Sequence, residues 1–253
     1  MLALTHVPSP YLDHGQRTHI GRLSIDYGRA AQQHTEYCNM LRGCGAHVRT
    51  LEVNCDLPDS TFIEDTAIVL DELAVLASMG TEARRGELAG IEPELRKYRE
   101  VHRMESPATI EGGDVLRVER TLLVGVSSRT APAGVQAFED IVRRYGYRVL
   151  PVRVGRCLHL KTACTALPDG RLLVNRSWLN WQALDGFEKI PIPQAEPWAA
   201  NTLRIGDAVC MAAEHEQTAN VLRDRGFEVR TVPLSEFAKA EGGVTCLALL
   251  LDE

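Results

Sequence analysis

One pattern recurs along this chain and constrains its fold more than any other: an amphipathic helix that ends at glycine and runs into a short alternating strand. It reads AAQQHTEYCNMLRGCG then AHVRTLEV, GVQAFEDIVRRYG then YRVLPV, and EQTANVLRDRG then FEVRTVP. In each copy apolar residues fall at helical spacing, and Gly45, Gly146 and Gly226 suit the residue just past a helix end. Two looser copies are a helix near residues 81–98 leading to REVHRME, and SWLNWQALDG leading to FEKIPIP. A period of about 40–50 residues belongs to repeat architectures, in which one supersecondary unit stacks on the next.

A β-hairpin fills each interval between such a strand and the next helix. TIEGGDVLRVERTLLVGV is the clearest; HLKTACTALPDGRLLVN turns at Pro168-Asp169-Gly170, and FIEDTAIVLDELAVLAS and TLRIGDAVCMA read alike. The fifth hairpin is split between the ends, with GVTCLALLL pairing against LALTHVP. The predicted fold is therefore α/β: a five-fold pseudosymmetric propeller of ββαβ units, one domain over residues 1–253. Pairing of the N- and C-terminal strands is expected to close the ring without a free edge.

Composition removes several function classes. The formal charge is -6, and Lys and Arg are scattered singly or in pairs, so no nucleic-acid footprint stands out. The start, MLALTHVPSP, lacks a basic stretch and a long apolar run, and no segment approaches the ~20 apolar residues that span a bilayer. Seven cysteines, an odd number with no CxxC, argue against a disulfide framework or zinc ribbon and for reduced thiols in the cytoplasm. The expected partner is a small-molecule substrate, with the chain a monomer or homodimer.

If each unit contributes the start of its hairpin to a shared centre, seven polar residues converge. They are Asp59, Glu64 and Asp65 around FIED, Glu111 and Asp114 of EGGD, His159 of HLK, and Cys246 of GGVTC. A thiol to attack, an imidazole to move protons and carboxylates to hold positive charge suit nucleophilic catalysis on a cation. Singly, each has a plainer explanation. A cysteine before an apolar strand is usually a packed core thiol, and a histidine starting a strand is usually structural. EGGD alone is a turn whose glycines permit positive φ, and FIEDT a pair of capping acids.

FIEDT, TIEGGDVL, LHLKT and GGVTC, in that order, resemble the guanidino-group-modifying superfamily, and most closely its dimethylarginine dimethylaminohydrolase family. GTEARRGE, the arginine of VSSRT and the KAEGGVTC end extend the similarity over nearly the whole chain, most diluted across 177–230. The resemblance implies the pentein fold and a Cys–His–acid site needing no metal or cofactor. Deiminases of the superfamily carry an acid two residues after the catalytic histidine, where this chain has Lys161. A dimethylated nitrogen has no N–H to offer such a carboxylate, and an unpaired buried carboxylate costs ~1–3 kcal/mol, so its loss favours a methylated substrate.

The implied reaction is hydrolysis of an Nω-methylated arginine to citrulline and dimethylamine or methylamine. Cys246 is the implied nucleophile, His159 the acid/base and Glu111 the group that orients it. Asp65 and Asp59 would grip the guanidinium, with Glu64 and Phe62 beside them. Arg84 and Arg129 match carboxylate-binding positions, and Gln16 and Ala240 fall at substrate-contacting ones. Asp13 to Gly21 suits a lid, and Gln16 departs there from the usual Leu. His14 and His19 lack a third ligand for a metal, and Cys157 and Cys164 read as hairpin core. The rival readings are a related guanidine hydrolase acting on arginine itself or another substituted guanidine, and a non-catalytic pentein binding module.

Overall fold

The computed structural model describes residues 1–252, and each hairpin–helix–strand interval forms a three-stranded blade. The first blade joins β1 (Leu2–His6), α1 (Tyr27–Gly43) and β2 (His47–Leu51). The second holds β3 (Ala67–Val69), β4 (Leu73–Leu76), α2 (Glu87–Leu95) and β5 (Glu100–Arg103). The third holds β6 (Val115–Val118), β7 (Thr121–Val126), α3 (Pro132–Val142) and β8 (Arg148–Arg153). A helical turn α4 (Leu160–Ala163) opens the fourth, followed by β9 (Cys164–Ala166), β10 (Leu172–Val174) and β11 (Lys189–Pro191). The fifth has β12 (Thr202–Ile205), β13 (Ala208–Ala212), α5 (Glu216–Arg223) and β14 (Glu228–Val232). The chain then returns through α6 (Ser235–Ala238) to β15 (Leu249–Leu251) in the first blade.

In every blade the middle strand runs antiparallel to its hairpin partner and parallel to the strand that follows the connecting segment. Parallel neighbours need a crossover, which is why a helix or long turn must intervene. Middle strands such as LAVL and LLV are buried along their whole length, whereas the outer HVRTL and EVRTV expose most of theirs. β1 completes the first blade by pairing with β15, Leu2 opposite Leu251 and Leu4 opposite Leu249. This pairing does not remove edges, as the sequence suggested it would. Each blade keeps two outer strands of three to six residues, and the propeller protects them by keeping them short.

Helix α1 shows how sequence sets packing. The Asp26 side chain caps it by accepting the Arg29 amide, and Ala30, Tyr37 and Leu41 bury one face against Phe237, Val244 and Leu247. The Tyr37 hydroxyl donates to the Val244 carbonyl at 2.8 Å, tying the helix to the segment that carries Cys246. Gly45, Gly146 and Gly226 all have positive φ, as their helix-ending role requires. The fourth unit departs from expectation: SWLNWQALDG makes only a 3-10 turn at Trp181–Leu184, capped by Asn180. The Asn175 and Asn180 side chains accept the Ser177 and Gln182 amides, and these local turns stand where a longer helix would start ahead of Gly186. Among the described residues no helix is long and apolar enough to cross a membrane.

Candidate active site

The hairpin starts of four blades meet at one end of the ring. Cys246, His159, Asp65, Asp59, Phe62, Arg84, Arg129, Gln16 and Ala240 line a common pocket, with Leu158, Glu241 and Gly242. Glu64 and Glu111 lie outside that lining.

His159 does not start a strand. It precedes the α4 turn, and the buried Asp114 carboxylate accepts the Leu160 amide at 2.8 Å, fixing the backbone beside the imidazole. The other Asp114 oxygen accepts the Ser127 hydroxyl at 2.6 Å, and Ser127 Oγ in turn accepts the Arg129 and Thr130 amides. One carboxylate thus sets both the His159 backbone and the loop that carries Arg129. The imidazole lies between acids, Nε2 at 2.7 Å from Glu111 Oε2 and Nδ1 at 3.5 Å from Asp65 Oδ1. Burial opposes its charge, but Asp65, the Glu111 hydrogen bond and Asp114 outweigh that and raise its pKa to about 9.

The glycines of EGGD serve close approach. Neither Gly112 nor Gly113 has positive φ, so the plainer reading of EGGD as a positive-φ turn does not hold. A Cβ on Gly113 would fall 2.6 Å from Asp65 Oδ1 and 2.7 Å from His159 Nδ1; one on Gly112 would fall 2.0 Å from the Glu64 carbonyl. Absence of side chains is what lets the acid and imidazole meet.

Cys246 sits in the turn ahead of β15, partly buried. Its Sγ accepts the Gly243 amide at 3.4 Å, and its carbonyl accepts the Glu64 amide at 3.2 Å, joining first and second blades. Burial, with the Glu64 and Asp65 carboxylates near it, pushes the thiol up to about 12. Cys164 is a core thiol of the fourth blade, whereas Cys157, expected in the hairpin core, is buried in the loop ahead of α4 and donates to the His159 carbonyl at 3.4 Å; burial raises the pKa of both.

Asp65 Oδ2 accepts Arg84 Nη1 at 2.5 Å, while Oδ1 is buried without any hydrogen-bond partner. Burial raises the Asp65 pKa, but the His159 and Arg84 charges overcome it and hold the carboxyl below the usual range. Arg84 is more committed than the sequence implied. It makes a two-point pair with Glu87 at 2.9 and 2.8 Å and donates to the Phe62 carbonyl at 2.9 Å. Arg129 is freer: among the described residues its guanidinium reaches only Thr81 Oγ1 at 3.2 Å, Thr18 Oγ1 at 3.4 Å and Glu111 at 3.7 Å.

The Glu64 carboxylate accepts Lys161 Nζ and Thr245 Oγ1, each at 2.7 Å, so both ionic partners are spent on each other beside the pocket. Sequence placed Glu64 among the substrate contacts; its motif neighbours do line the pocket, whereas its own oxygens are taken.

Residues 13–21 lie across the pocket. The Gln16 amide donates to both Asp59 oxygens at 3.1 Å, and the Thr18 and His19 amides donate to Glu241 at 2.7 and 2.6 Å. A Cβ on Gly15 would lie 2.4 Å from Asp59 Oδ1 and 3.1 Å from the Leu12 carbonyl, so a side chain there would have to displace the Asp59 carboxylate. Glu241, itself at φ 62°, was missed by sequence reasoning; the acid preceding GG was the signal available. His14 and His19 are exposed. Asp65, Glu111 and His159 offer metal-type ligand atoms within 4.8 Å of one another, and the same closeness holds a proton on the imidazole.

The family model described as N,N dimethylarginine dimethylhydrolase, eukaryotic, matches residues 13–169. The N(G),N(G)-dimethylarginine dimethylaminohydrolase of Streptomyces coelicolor is 40% identical over 99% of this chain and 97% of its own. A solved dimethylarginine dimethylaminohydrolase carrying an S-methyl-L-thiocitrulline adduct superposes with a TM-score of 0.92 at 31% identity, covering 98% of each chain. The Pseudomonas aeruginosa enzyme complexed with citrulline superposes at 0.90 and 30% identity, covering 98% of this chain and 97% of that one. The chain belongs to the dimethylarginine dimethylaminohydrolase family, hydrolases acting on C–N bonds.

Proposed function

We propose that this chain hydrolyses Nω-methylated arginines, asymmetric dimethylarginine and monomethylarginine, to citrulline and dimethylamine or methylamine. The observation that carries the reading is the buried Asp65 Oδ1, which among the described residues accepts no hydrogen bond and has only the His159 ring at 3.5 Å beside it, in the pocket that also holds Cys246. A buried acceptor left open costs stability unless a ligand donor completes it, and a guanidinium N–H is such a donor. Relatives seen with citrulline and with an S-methylthiocitrulline adduct support the same substrate class.

In this mechanism the guanidinium lies on Asp65, with Asp59 freed as the Gln16 amide swings away. Arg129 takes the substrate carboxylate, assisted by the remaining Arg84 N–H, and Phe62 and Ala240 wall the pocket. The bound cation offsets the acids that oppose thiolate formation, and Cys246 attacks the guanidinium carbon. His159, protonated and held by Glu111, gives its proton to the departing amine. It then takes one from the water that attacks the thiouronium carbon, and citrulline leaves as the C–S bond breaks. Lys161 keeps Glu64 paired, so that carboxylate does not face a methylated nitrogen that has no proton to give. No metal or cofactor enters this route. We also take residues 1–253 as one domain and, from seven free thiols, place it in a reducing cytoplasm.

Amine release from dimethylarginine, monomethylarginine and arginine, run beside Cys246→Ser, tests the proposal. Turnover of the methylated pair, little ammonia from arginine and an inactive mutant are expected. Ammonia released preferentially from arginine overturns the substrate assignment, and an active mutant overturns covalent catalysis.

A further inference from the structure

The catalytic pocket is not the roomiest cavity at this end of the ring. Beside it lies a second, of about 140 Å³, lined by Ile20, Trp198, Leu234 and Ala238 on its apolar sides and by Glu214, His215 and Glu241 among its polar groups. An apolar cavity of about 150 Å³ takes a benzene-sized molecule, so roughly six heavy atoms fit here.

The repeat explains why the two compartments differ in charge. In the second and third blades the loops after the middle strands β4 and β7 supply Arg84 and Arg129 to the catalytic side. In the fifth blade the equivalent loop, after β13, supplies Glu214 and His215 to the other cavity. No Lys or Arg lines that cavity, and among the described residues neither Glu214 nor Glu241 forms an ion pair. Glu214 accepts only the Leu234 amide, at 3.1 and 3.3 Å from its two oxygens. Burial lowers the pKa of His215 against the opposing pull of Glu196 and Glu214, which weighs against a charged ring in the cavity wall. Trp198 is held edge-on against Trp178, ring centres 4.8 Å apart, and supplies the aromatic wall. Glu214, exposed at the rim, and the buried Glu241 beside an aromatic and aliphatic wall are the chemistry that receives an alkylated ammonium.

We propose that this second compartment binds a compact alkylammonium ion, with Trp198 as its aromatic wall and Glu214 and Glu241 as its counter-charges. The amine released by the proposed reaction is one source of such an ion, and only that choice of source rests on the proposed function. Glu241 and Gly242 border both compartments, and residues 13–21 span them, with Gln16 on the catalytic side and Ile20 on the other. Glu241 keeps its hold on the Thr18 and His19 amides and adds its negative charge to the wall of the second compartment.

Calorimetric titration of the full chain with dimethylammonium and tetramethylammonium chloride, at ionic strength held constant by sodium chloride, tests this without turnover. Binding of both ions is expected, weakened about tenfold in Glu214→Gln and in Trp198→Leu, and unchanged by saturating citrulline. Glu214→Gln keeps the acceptor for the Leu234 amide, so a folding defect is not expected to confuse the result. Binding of tetramethylammonium alone removes the released amine as the source while leaving the site. No binding, binding indifferent to both substitutions, or displacement by citrulline overturns the proposal. Failure of methylarginine turnover in the separate amine-release assay leaves this outcome untouched.

Discussion

The ionisation order of Cys246 and His159 makes a demand on kinetics that an ordinary cysteine hydrolase would not meet. In the free protein the thiol is pushed up to about 12 and the imidazole raised to about 9, so the stable form at neutral pH is thiol with imidazolium. The reactive form, thiolate with imidazolium, is then present at about one part in 10⁵ at pH 7, against a few per cent for an unperturbed thiol near 8.5. Its population grows tenfold per pH unit until His159 begins to lose its proton near 9. Beyond that it holds at about one part in 10³, since each proton lost from sulfur is matched by one lost from the ring. The kcat/KM for dimethylarginine, which reports the free enzyme, is therefore expected to rise with unit slope from pH 6.5 and level near 9. Alkylation of Cys246 by iodoacetamide, which needs no imidazolium, should keep climbing past 9. Asp65→Asn removes one of the carboxylates that oppose the thiolate, and should speed alkylation at fixed pH. A kcat/KM flat between pH 7 and 9, or alkylation that levels below 9, would refute the reasoning by showing a preformed thiolate.

Lys161→Met should destabilise the fold by about 3 kcal/mol, because Glu64 is left as a buried carboxylate with only Thr245 to pair with. Urea denaturation measures this, and adding Glu64→Gln should recover most of the loss; a single-mutant cost well under 1 kcal/mol would show the pair is not needed. Gly125→Ala places a Cβ 2.3 Å from Asp114 Oδ1 and 2.9 Å from Leu160 Cβ, and should cost about 1–3 kcal/mol through overpacking. Because Asp114 holds the Leu160 amide beside His159, kcat should fall more than KM rises, and an unchanged kcat would argue against that positioning.

Much of the architecture was legible because it rests on local rules repeated along the chain. Helix-ending glycines at positive φ, apolar middle strands and the turn at Pro168-Asp169-Gly170 are each specified by neighbouring residues, and their recurrence gave the ring. The weak fourth copy was the one whose connection formed no α-helix. Residue types at the hairpin starts likewise pointed to thiol, imidazole and acids, and Cys246, His159, Asp65 and Asp59 line one pocket while Glu64, Glu111 and Asp114 stand outside its lining.

Asp65 was put on the guanidinium only through the family resemblance, because adjacent carboxylates in FIEDT look alike in one dimension. Glu64 and Asp65 are neighbours, yet one is taken by Lys161 from 97 positions away and the other keeps an oxygen open. Also hidden in one dimension were the commitment of Arg84 to Glu87 and Asp65, which depends on where a 3-10 turn sets it, and the anchoring of residues 13–21 by Glu241, more than 200 residues from the amides it holds. Sequence determined the repeat and the chemical inventory, since both follow from local propensity and residue type. Tertiary structure decided pairing, ionisation and the charge of each compartment, since hydrogen bonds and electrostatic fields act through space between segments that sequence order leaves far apart.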